Sequence, residues 1–222
     1  DGLTKTVVGQ LGIRFPTRFE VEQLFDKENR PYRKVVGITE PLKVRIITVG
    51  HAWESPFWAD FQHHLQDKIS TRDWSGTGRT DSELLDAILS MNDNLATNEQ
   101  ITKEPWTFVS DDGSAATDSI DTELTWKFIQ DLLPNQYHKF AYVSLKSYIR
   151  YKGQSHEQNT GQMMGDRRSF PLLCLIHYAF KIAFLRKYNL IRVVHTSGSR
   201  NHRKFIHLHE LILINGDDGL IC

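Results

Sequence analysis

The chain has very little cysteine, no surplus of charge and no apolar run long enough to serve as an anchor, and each shortage closes off a class of protein. Two cysteines in 222 residues, Cys174 and Cys222, cannot build a disulfide framework, which suits a reducing compartment. Lys plus Arg equals Asp plus Glu at 27 each, so no global field draws the chain to nucleic acid, and any electrostatic case rests on local patches. The longest apolar run, Leu172 to Leu185, falls short of a bilayer span and contains His177 and Lys181, so it reads as a buried helix and no membrane segment is expected. The opening Asp1-Gly-Leu-Thr shows no leader of the secretory or transit kind. What is present is a globular composition, 40% apolar, long enough for one large domain or two small ones. Because the chain stops in an apolar stretch straight after an acidic turn, it is expected to be an internal fragment of a longer protein.

That turn organises the rest. Leu211 to Ile214 reads as a buried strand, Asn215-Gly216 as a turn with two carboxylates behind it, Asp217 and Asp218, and Gly219-Leu220-Ile221 as a returning strand. Two adjacent acids between core strands repel each other, and a hard divalent cation would offset them. For the tetrapeptide taken alone, ordinary hairpin chemistry is the better account.

Upstream segments bear on the choice. In Glu40-Pro-Leu-Lys-Val-Arg-Ile-Ile-Thr-Val-Gly50, Lys43 and Arg45 alternate with Val44 and Ile46, which puts both cations on one face of a strand. Either a polyanion such as a triphosphate lies over them, or they protect a solvated edge. Ser55-Pro56 opens a helix with Phe57, Phe61, Leu65 and Ile69 on its core face, and His63 and His64 on that helix read as surface. Residues 71–79 form a loop, and Thr80 with Glu83 makes a capping box for a helix presenting Leu84, Ile88, Met91 and Leu95.

Trp106 to Ser110 reads as a strand, and Asp111-Asp112 follow at its end, placed either as metal ligands or as caps of the next helix. That helix shows Leu124, Phe128 and Leu132 on one face and ends at Pro134, and Ala141 to Ile149 alternates like a half-buried strand. Gly161 to Gly165 is a glycine-bounded loop, followed through Asp166, Arg167 and Arg168 by a helix from Ser169 to Tyr188. Ile191 to Val194 reads as a short strand and residues 195–204 as a basic segment. His195, His202, His207 and His209 match no zinc spacing.

From residue 106 onward the order is therefore strand, helix, strand, helix, strand, strand. A split βαβ arrangement of that order brings the first strand beside the final hairpin and turns Asp112 toward Asp217 and Asp218, the geometry of two-metal phosphoryl transfer.

With these segments in this order, the chain resembles the fingers-palm core of viral RNA-dependent RNA polymerases, in particular the narnavirus, mitovirus and ourmia-like group. The resemblance runs over residues 40–222. It is carried by Glu40-Pro-Leu-Lys-Val-Arg-Ile-Ile-Thr48 (the basic fingers motif), Ser110-Asp-Asp-Gly-Ser-Ala-Ala-Thr-Asp118 (the first palm motif), Gly161-Gln-Met-Met-Gly165 with Ser169-Phe-Pro-Leu-Leu-Cys174 (the second), and Gly216-Asp-Asp218 (the third).

The resemblance implies an α+β fold: a polymerase palm, split βαβ with an antiparallel sheet and helices on one face, over residues 106–222. Residues 1–105 would be partial fingers, with the triphosphate-binding motif at 40–50 and no thumb. It implies template-directed nucleotidyl transfer replicating a positive-strand RNA genome, with Mg²⁺ or alternatively Mn²⁺ held by Asp112, Asp217 and Asp218. Lys43 and Arg45 would grip the incoming triphosphate, Asp118 and Ser169 would lie at the sugar, and Gly161, Gln162 and Gly165 at the template loop. The implied partners are an RNA template, its product strand and ribonucleoside triphosphates, in the cytoplasm or a mitochondrion of a host cell and not secreted.

Three residues or groups depart from the family pattern: Asp111 and Gly113 beside the first acid, the charged Asp166-Arg167-Arg168, and His177 near the usual sugar-reading Asn. Two rivals stay open, a reverse-transcriptase-like polymerase, against which Asn215-Gly216 argues, and a non-catalytic RNA-binding relic of the palm.

Overall fold

The computed structural model describes residues 32–50, 54–102, 107–113, 116–188 and 212–221, and of residues 94–102 the backbone alone. The fold is mixed α+β, with two small sheets and six α-helices among the described residues. It separates into two compact units, each made of two stretches of the chain: Asp1–Leu65 with Ala115–Leu172, and Gln66–Ser114 with Leu173–Cys222.

The first unit holds a four-stranded sheet of order β2-β1-β4-β5. Strand β1, Tyr32–Glu40, turns through Pro41-Leu42 into β2, Lys43–Val49, with Glu40 opposite Lys43. The polar start of the chain concealed β1, although its centre, Val35-Val36, is β-branched. Strand β4, Tyr148–Tyr151, lies parallel to β1, and β5, Gln154–Glu157, closes a hairpin with it.

Helix α1, Ser55–Ser70, begins at the expected Ser-Pro. Phe57, Phe61, Leu65 and Ile69 are all buried, as their four-residue spacing predicts, while His63 is exposed and His64 half-buried. Within this unit Phe57 packs edge-on to Trp58 at 4.7 Å and to Phe140 at 4.9 Å.

In the second unit the Thr80–Glu83 capping box forms. The Thr80 N–H donates to Glu83 Oε2 at 2.7 Å and the Glu83 N–H to Thr80 Oγ1 at 3.4 Å, opening helix α2, Asp81–Thr102. Met91 is buried on it, Leu84 is half-buried and Ile88 is exposed, while the Leu95 side chain lies outside the described residues. Strand β3, Val109–Asp112, runs through both acids, where the sequence pattern ended the strand before them.

Helix α3, Ala116–Ser119, is a single turn. Helix α4, Thr122–Leu132, is capped by Asp121, whose carboxylate accepts from the Glu123 and Leu124 N–H groups. Its buried face is Thr122, Thr125 and Ile129, not the expected Leu124, Phe128 and Leu132. The cause is polar: Gln162 Nε2 donates to Thr125 Oγ1 at 3.1 Å and Thr122 Oγ1 donates to the Gly161 carbonyl at 3.4 Å, so the threonines are buried with hydrogen-bond partners.

The strand expected over Ala141 to Ile149 is mostly helix. A 3₁₀ turn, Asn135–Tyr137, leads into α5, His138–Leu145, on which Phe140, Ala141, Ser144 and Leu145 are buried. Their spacing of one, three and one is a helical face, which the apparent alternation masked. Only β4 follows as strand, and it joins the first unit's sheet, so the alternating order proposed for one sheet is not what forms.

Helix α6, Ser169–Lys187, extends beyond the apolar run at both ends. It is the one described helix long and apolar enough to cross a membrane, with mean hydropathy 1.3 and 39% of that window buried, and its bounds lie within a residue of the helix read from the sequence. Leu172, Cys174, Ile176 and Leu185 are buried, while Phe180, Phe184 and Tyr188 are exposed.

In the second unit, strands β6, Ile212–Asn215, and β7, Asp218–Ile221, form the predicted final hairpin, and the sheet order is β3-β7-β6 with every pairing antiparallel. The outer edge of β6 is covered. The Ile214 N–H donates to the Trp74 carbonyl at 2.8 Å and the Gly76 N–H to the Ile214 carbonyl at 2.7 Å, so that edge is paired at Ile214. Trp106, the strand at 191–194, the basic segment at 195–204, the four histidines at 195–209 and Cys222 lie outside the described residues.

Candidate metal and nucleotide site

The acids come together in the second unit because β3 and β7 pair in one register. Asp112 is opposite Asp218, Asp111 is opposite Gly219, and Asn215 of β6 is opposite Asp218 from the other side. Directly opposed residues share a sheet face, so Asp112, Asp218 and Asn215 form one row and Asp111 points the other way. Gly216 and Asp217 are the two central residues of the hairpin, and the Gly113 N–H donates to the Asp217 carbonyl at 3.2 Å, carrying the pairing of β3 up to the turn.

Asp111 and Asp112 differ sharply in their surroundings. Asp111 Oδ2 lies 3.0 Å from His177 Nε2, and its Oδ1 accepts from Lys181. Asp112, Asp217 and Asp218 are exposed, and among the described residues none donates to their carboxylates.

The donor set fits a hard divalent cation. It consists of carboxylate oxygens only, on adjacent strand ends, facing water. Among the described residues no three His, Cys, Asp or Glu side chains converge to enclose an ion. Mg²⁺ does not need such a cage, because it keeps several waters and is held by one or two carboxylates together with substrate phosphates.

The residues expected at the nucleotide and template gather in the first unit, except His177. Lys43 and Arg45 stand on β2, where the Lys43 ammonium is 3.6 Å and Arg45 Nε 3.0 Å from Glu40. With side chains 63% and 48% exposed, these are surface pairs of small worth that a phosphate can replace. The glycine loop is pinned to the same strand: the Thr48 N–H and Oγ1 both donate to the Met164 carbonyl, at 2.7 and 2.9 Å.

Gly161 and Gly165 have φ of +81° and +88°. A Cβ at the first would lie 2.7 Å from the Asp118 carbonyl oxygen, and at the second 2.8 Å from that of Thr48. The loop thus touches the segment carrying Asp118 at one end and the strand carrying Lys43 and Arg45 at the other. Asp118 itself is exposed on α3.

Two expected ligand contacts are turned inward. The Ser169 hydroxyl donates to the Met163 carbonyl at 2.9 Å, and the buried Gln162 amide donates to Thr125, so both side chains hold the loop's own shape. His177 belongs to the second unit, against the acidic hairpin.

The charged Asp166-Arg167-Arg168 departure has a structural explanation. The Asp166 carboxylate accepts from Arg168 Nε at 2.8 Å and from the Arg168 N–H at 3.0 Å, and it lies 2.9 Å from Arg33 Nη2. Arg33 reaches Glu54 at 3.4 Å, and the Arg168 guanidinium sits 4.2 Å over the Trp58 ring and donates to the Ser144 carbonyl at 3.3 Å. Burial pulls the Asp166 carboxyl upward, yet the charges of Arg168 and Arg33, with the hydrogen bonds from Arg168, hold it well below the usual carboxylate range. Two cations and two anions therefore close the loop's C-terminal end with no net charge. Arg167, by contrast, is exposed and donates to Ser55 Oγ at 3.1 Å.

Sequence reasoning passed over Arg33 and Glu54, and it gave no role to Cys174, Lys181 or Gly219. The spacing of Cys174, His177 and Lys181 by three and four along a helix was the available signal, since it sets all three on one face. Compared with known proteins, the chain matches no family model and no curated protein.

Proposed function

We propose that this chain is the fingers-palm core of an RNA-directed RNA polymerase that adds ribonucleotides to a growing strand by metal-assisted phosphoryl transfer. The observation that carries the reading is the row of acids on β3 and β7. Asp112 and Asp218 are opposed across the strands with Asp217 beside them, and all three carboxylates are free of protein donors among the described residues. Like charges directly opposite destabilise a sheet, so the arrangement calls for a cation.

In the proposed reaction the 3′-hydroxyl of the growing strand gives up its proton to water and its oxygen attacks the α-phosphorus of a ribonucleoside triphosphate in line. The bond from that phosphorus to the bridging oxygen breaks, and pyrophosphate leaves with the electron pair. Mg²⁺, when bound, supplies acidification of the attacking hydroxyl and neutralisation of charge on the phosphates. Asp112 and Asp217 would hold the ion, with Asp218 as a further donor. Lys43 and Arg45 exchange Glu40 for triphosphate oxygens, and Asp118 accepts from the ribose 2′-hydroxyl. Template choice rests on base pairing, so no base-reading side chains are required.

The test is Mg²⁺-dependent incorporation of labelled nucleotide on an RNA template, with Asp112→Asn and Asp217→Asn compared against Asp111→Asn. The first two are expected to abolish incorporation with the fold intact, and Asp111→Asn only to reduce it. Equal loss from Asp111 and Asp112 would overturn the assignment.

A further inference from the structure

Helix α6 grips the acidic hairpin at both backbone groups of a single residue. The Gly216 N–H donates to Cys174 Sγ at 3.3 Å, and the Gly216 carbonyl lies 3.1 Å from His177 Nδ1. The other ring nitrogen of His177 is 3.0 Å from Asp111 Oδ2, and Lys181, one turn further along, bonds the second oxygen of the same carboxylate. The ring therefore spans from the residue before Asp217 to the residue before Asp112. Carbonyl and carboxylate oxygens only accept, so both nitrogens act as donors when both bonds are made.

Strand β7 is cut to fit this bridge. A Cβ on Gly219 would stand 2.8 Å from His177 Cε1 and 2.9 Å from Asp111 Oδ1, closer than side-chain carbons approach such atoms. Glycine is needed at 219 because the imidazole and carboxylate pass directly over the strand there. Alternation along β7 then sends Asp218, with its cross-strand partner Asp112, to the opposite face.

We propose that His177 is a positioning residue, which by bridging Gly216 and Asp111 fixes the separation of the metal-binding acids Asp112 and Asp217, with Gly219 as the notch that admits it. The inference rests on the assignment of those two acids under the proposed function. His177 touches neither acid and acts only through their neighbours in the chain. Groups that orient metal ligands in this way typically change affinity by about 10–100-fold when removed.

Mn²⁺ binding to the whole chain, read as loss of the free-ion electron paramagnetic resonance signal, tests the bridge without any activity measurement. His177→Phe keeps the bulk and removes both donors, and it should weaken Mn²⁺ affinity by about 10–100-fold. His177→Gln, which retains one donor, should fall between it and the wild type. Gly219→Ala removes no polar group yet displaces the pair, and it should reproduce the His177→Phe loss. Met91→Ala, a core truncation in the same unit, should lower the thermal midpoint and leave affinity unchanged, separating positioning from stability. Wild-type affinity in His177→Phe, with Asp112→Asn unable to bind, would overturn the bridge and leave the acid assignment standing. Equal loss in Met91→Ala and His177→Phe would also overturn it. If the wild type binds Mn²⁺ no better than Asp112→Asn, the acid assignment fails and this inference fails with it.

Discussion

Asp112 and Asp218 face each other across β3 and β7 in direct register, two carboxylates of like charge on one face of a sheet. Opposed like charges of this kind destabilise the pairing of the two strands. Asp218→Asn should therefore raise the thermal midpoint in EDTA. Mg²⁺ should raise the midpoint of the wild type by mass action and that of the variant much less. Melting curves with and without Mg²⁺ check both arms. A wild type that gains nothing from millimolar Mg²⁺ while Asp218→Asn is no more stable in EDTA would mean that the register brings the acids together without strain.

Among the described residues, Asp166 is expected to be the most costly charge to neutralise. Asp166→Asn leaves Arg33 and Arg168 buried without their shared anion, a loss of about 3–5 kcal/mol by denaturant titration. The same carboxylate gives a pH dependence of definite sign. Its folded value is depressed, so its contribution is fully present above the unfolded value near 4 and is lost as pH falls below that toward the folded value. The wild type should lose stability steeply in that acid window, and Asp166→Asn should show a flatter profile there. Parallel profiles would show that Asp166 is not the group titrating.

Elements set by local patterns were legible in the sequence. Phe57, Phe61, Leu65 and Ile69 gave α1 its core face, Thr80 with Glu83 gave the start of α2, and Asn215-Gly216 between apolar runs gave the last hairpin, with the turn one residue earlier than the Gly216-Asp217 observed. Three features depended on distant partners and were not legible. Thr122 and Thr125 are buried because the glycine loop, more than thirty residues away, offers them partners. Helix α5 looked like a strand because a short stretch with aromatic and small residues satisfies both periods until its neighbours are known. His177 stood near a position expected to read the sugar, yet its contacts, Gly216 and Asp111, are 39 and 66 residues away in the chain. The order of elements in the sequence already set Asp112 toward the final hairpin, and the register of β3 on β7 adds which residue it opposes, Asp218, and that Asp111 opposes Gly219.

Leu42 is a strained residue with no packing to justify it. Pro41 and Leu42 are the two central residues of the β1–β2 hairpin, and Leu42 has φ of +71° at a position that type II turns normally give to glycine. Its side chain is fully exposed, so no buried contact is lost on removing it. Leu42→Gly should stabilise the chain by on the order of 0.5–1 kcal/mol, the left-handed strain relieved less the added freedom of the unfolded glycine. Chemical denaturation reads the change. A destabilised variant would mean that Leu42 makes a contact worth more than the strain.

The two glycines of the loop should be far less replaceable than a third glycine with the same backbone. Gly153, Gly161 and Gly165 have φ of +79°, +81° and +88°, so alanine at any of them carries a similar backbone strain of about 1–2 kcal/mol. They differ in what a methyl group would meet. Nothing lies within 4 Å at Gly153, whereas at Gly161 and Gly165 the nearest atoms are the carbonyl oxygens of Asp118 and Thr48, at 2.7 and 2.8 Å. Those oxygens are backbone and cannot swing aside as a side chain would. Gly161→Ala and Gly165→Ala should therefore cost about 1–3 kcal/mol beyond the loss in Gly153→Ala, the range typical of forcing atoms into a packed site. Gly165→Ala should in addition lift the loop from β2, breaking the two bonds from Thr48 to the Met164 carbonyl and speeding hydrogen exchange at the Thr48 amide. Equal losses at all three positions would show that the left-handed backbone alone, and not the close approach of the loop to β2 and to Asp118, is what requires glycine there.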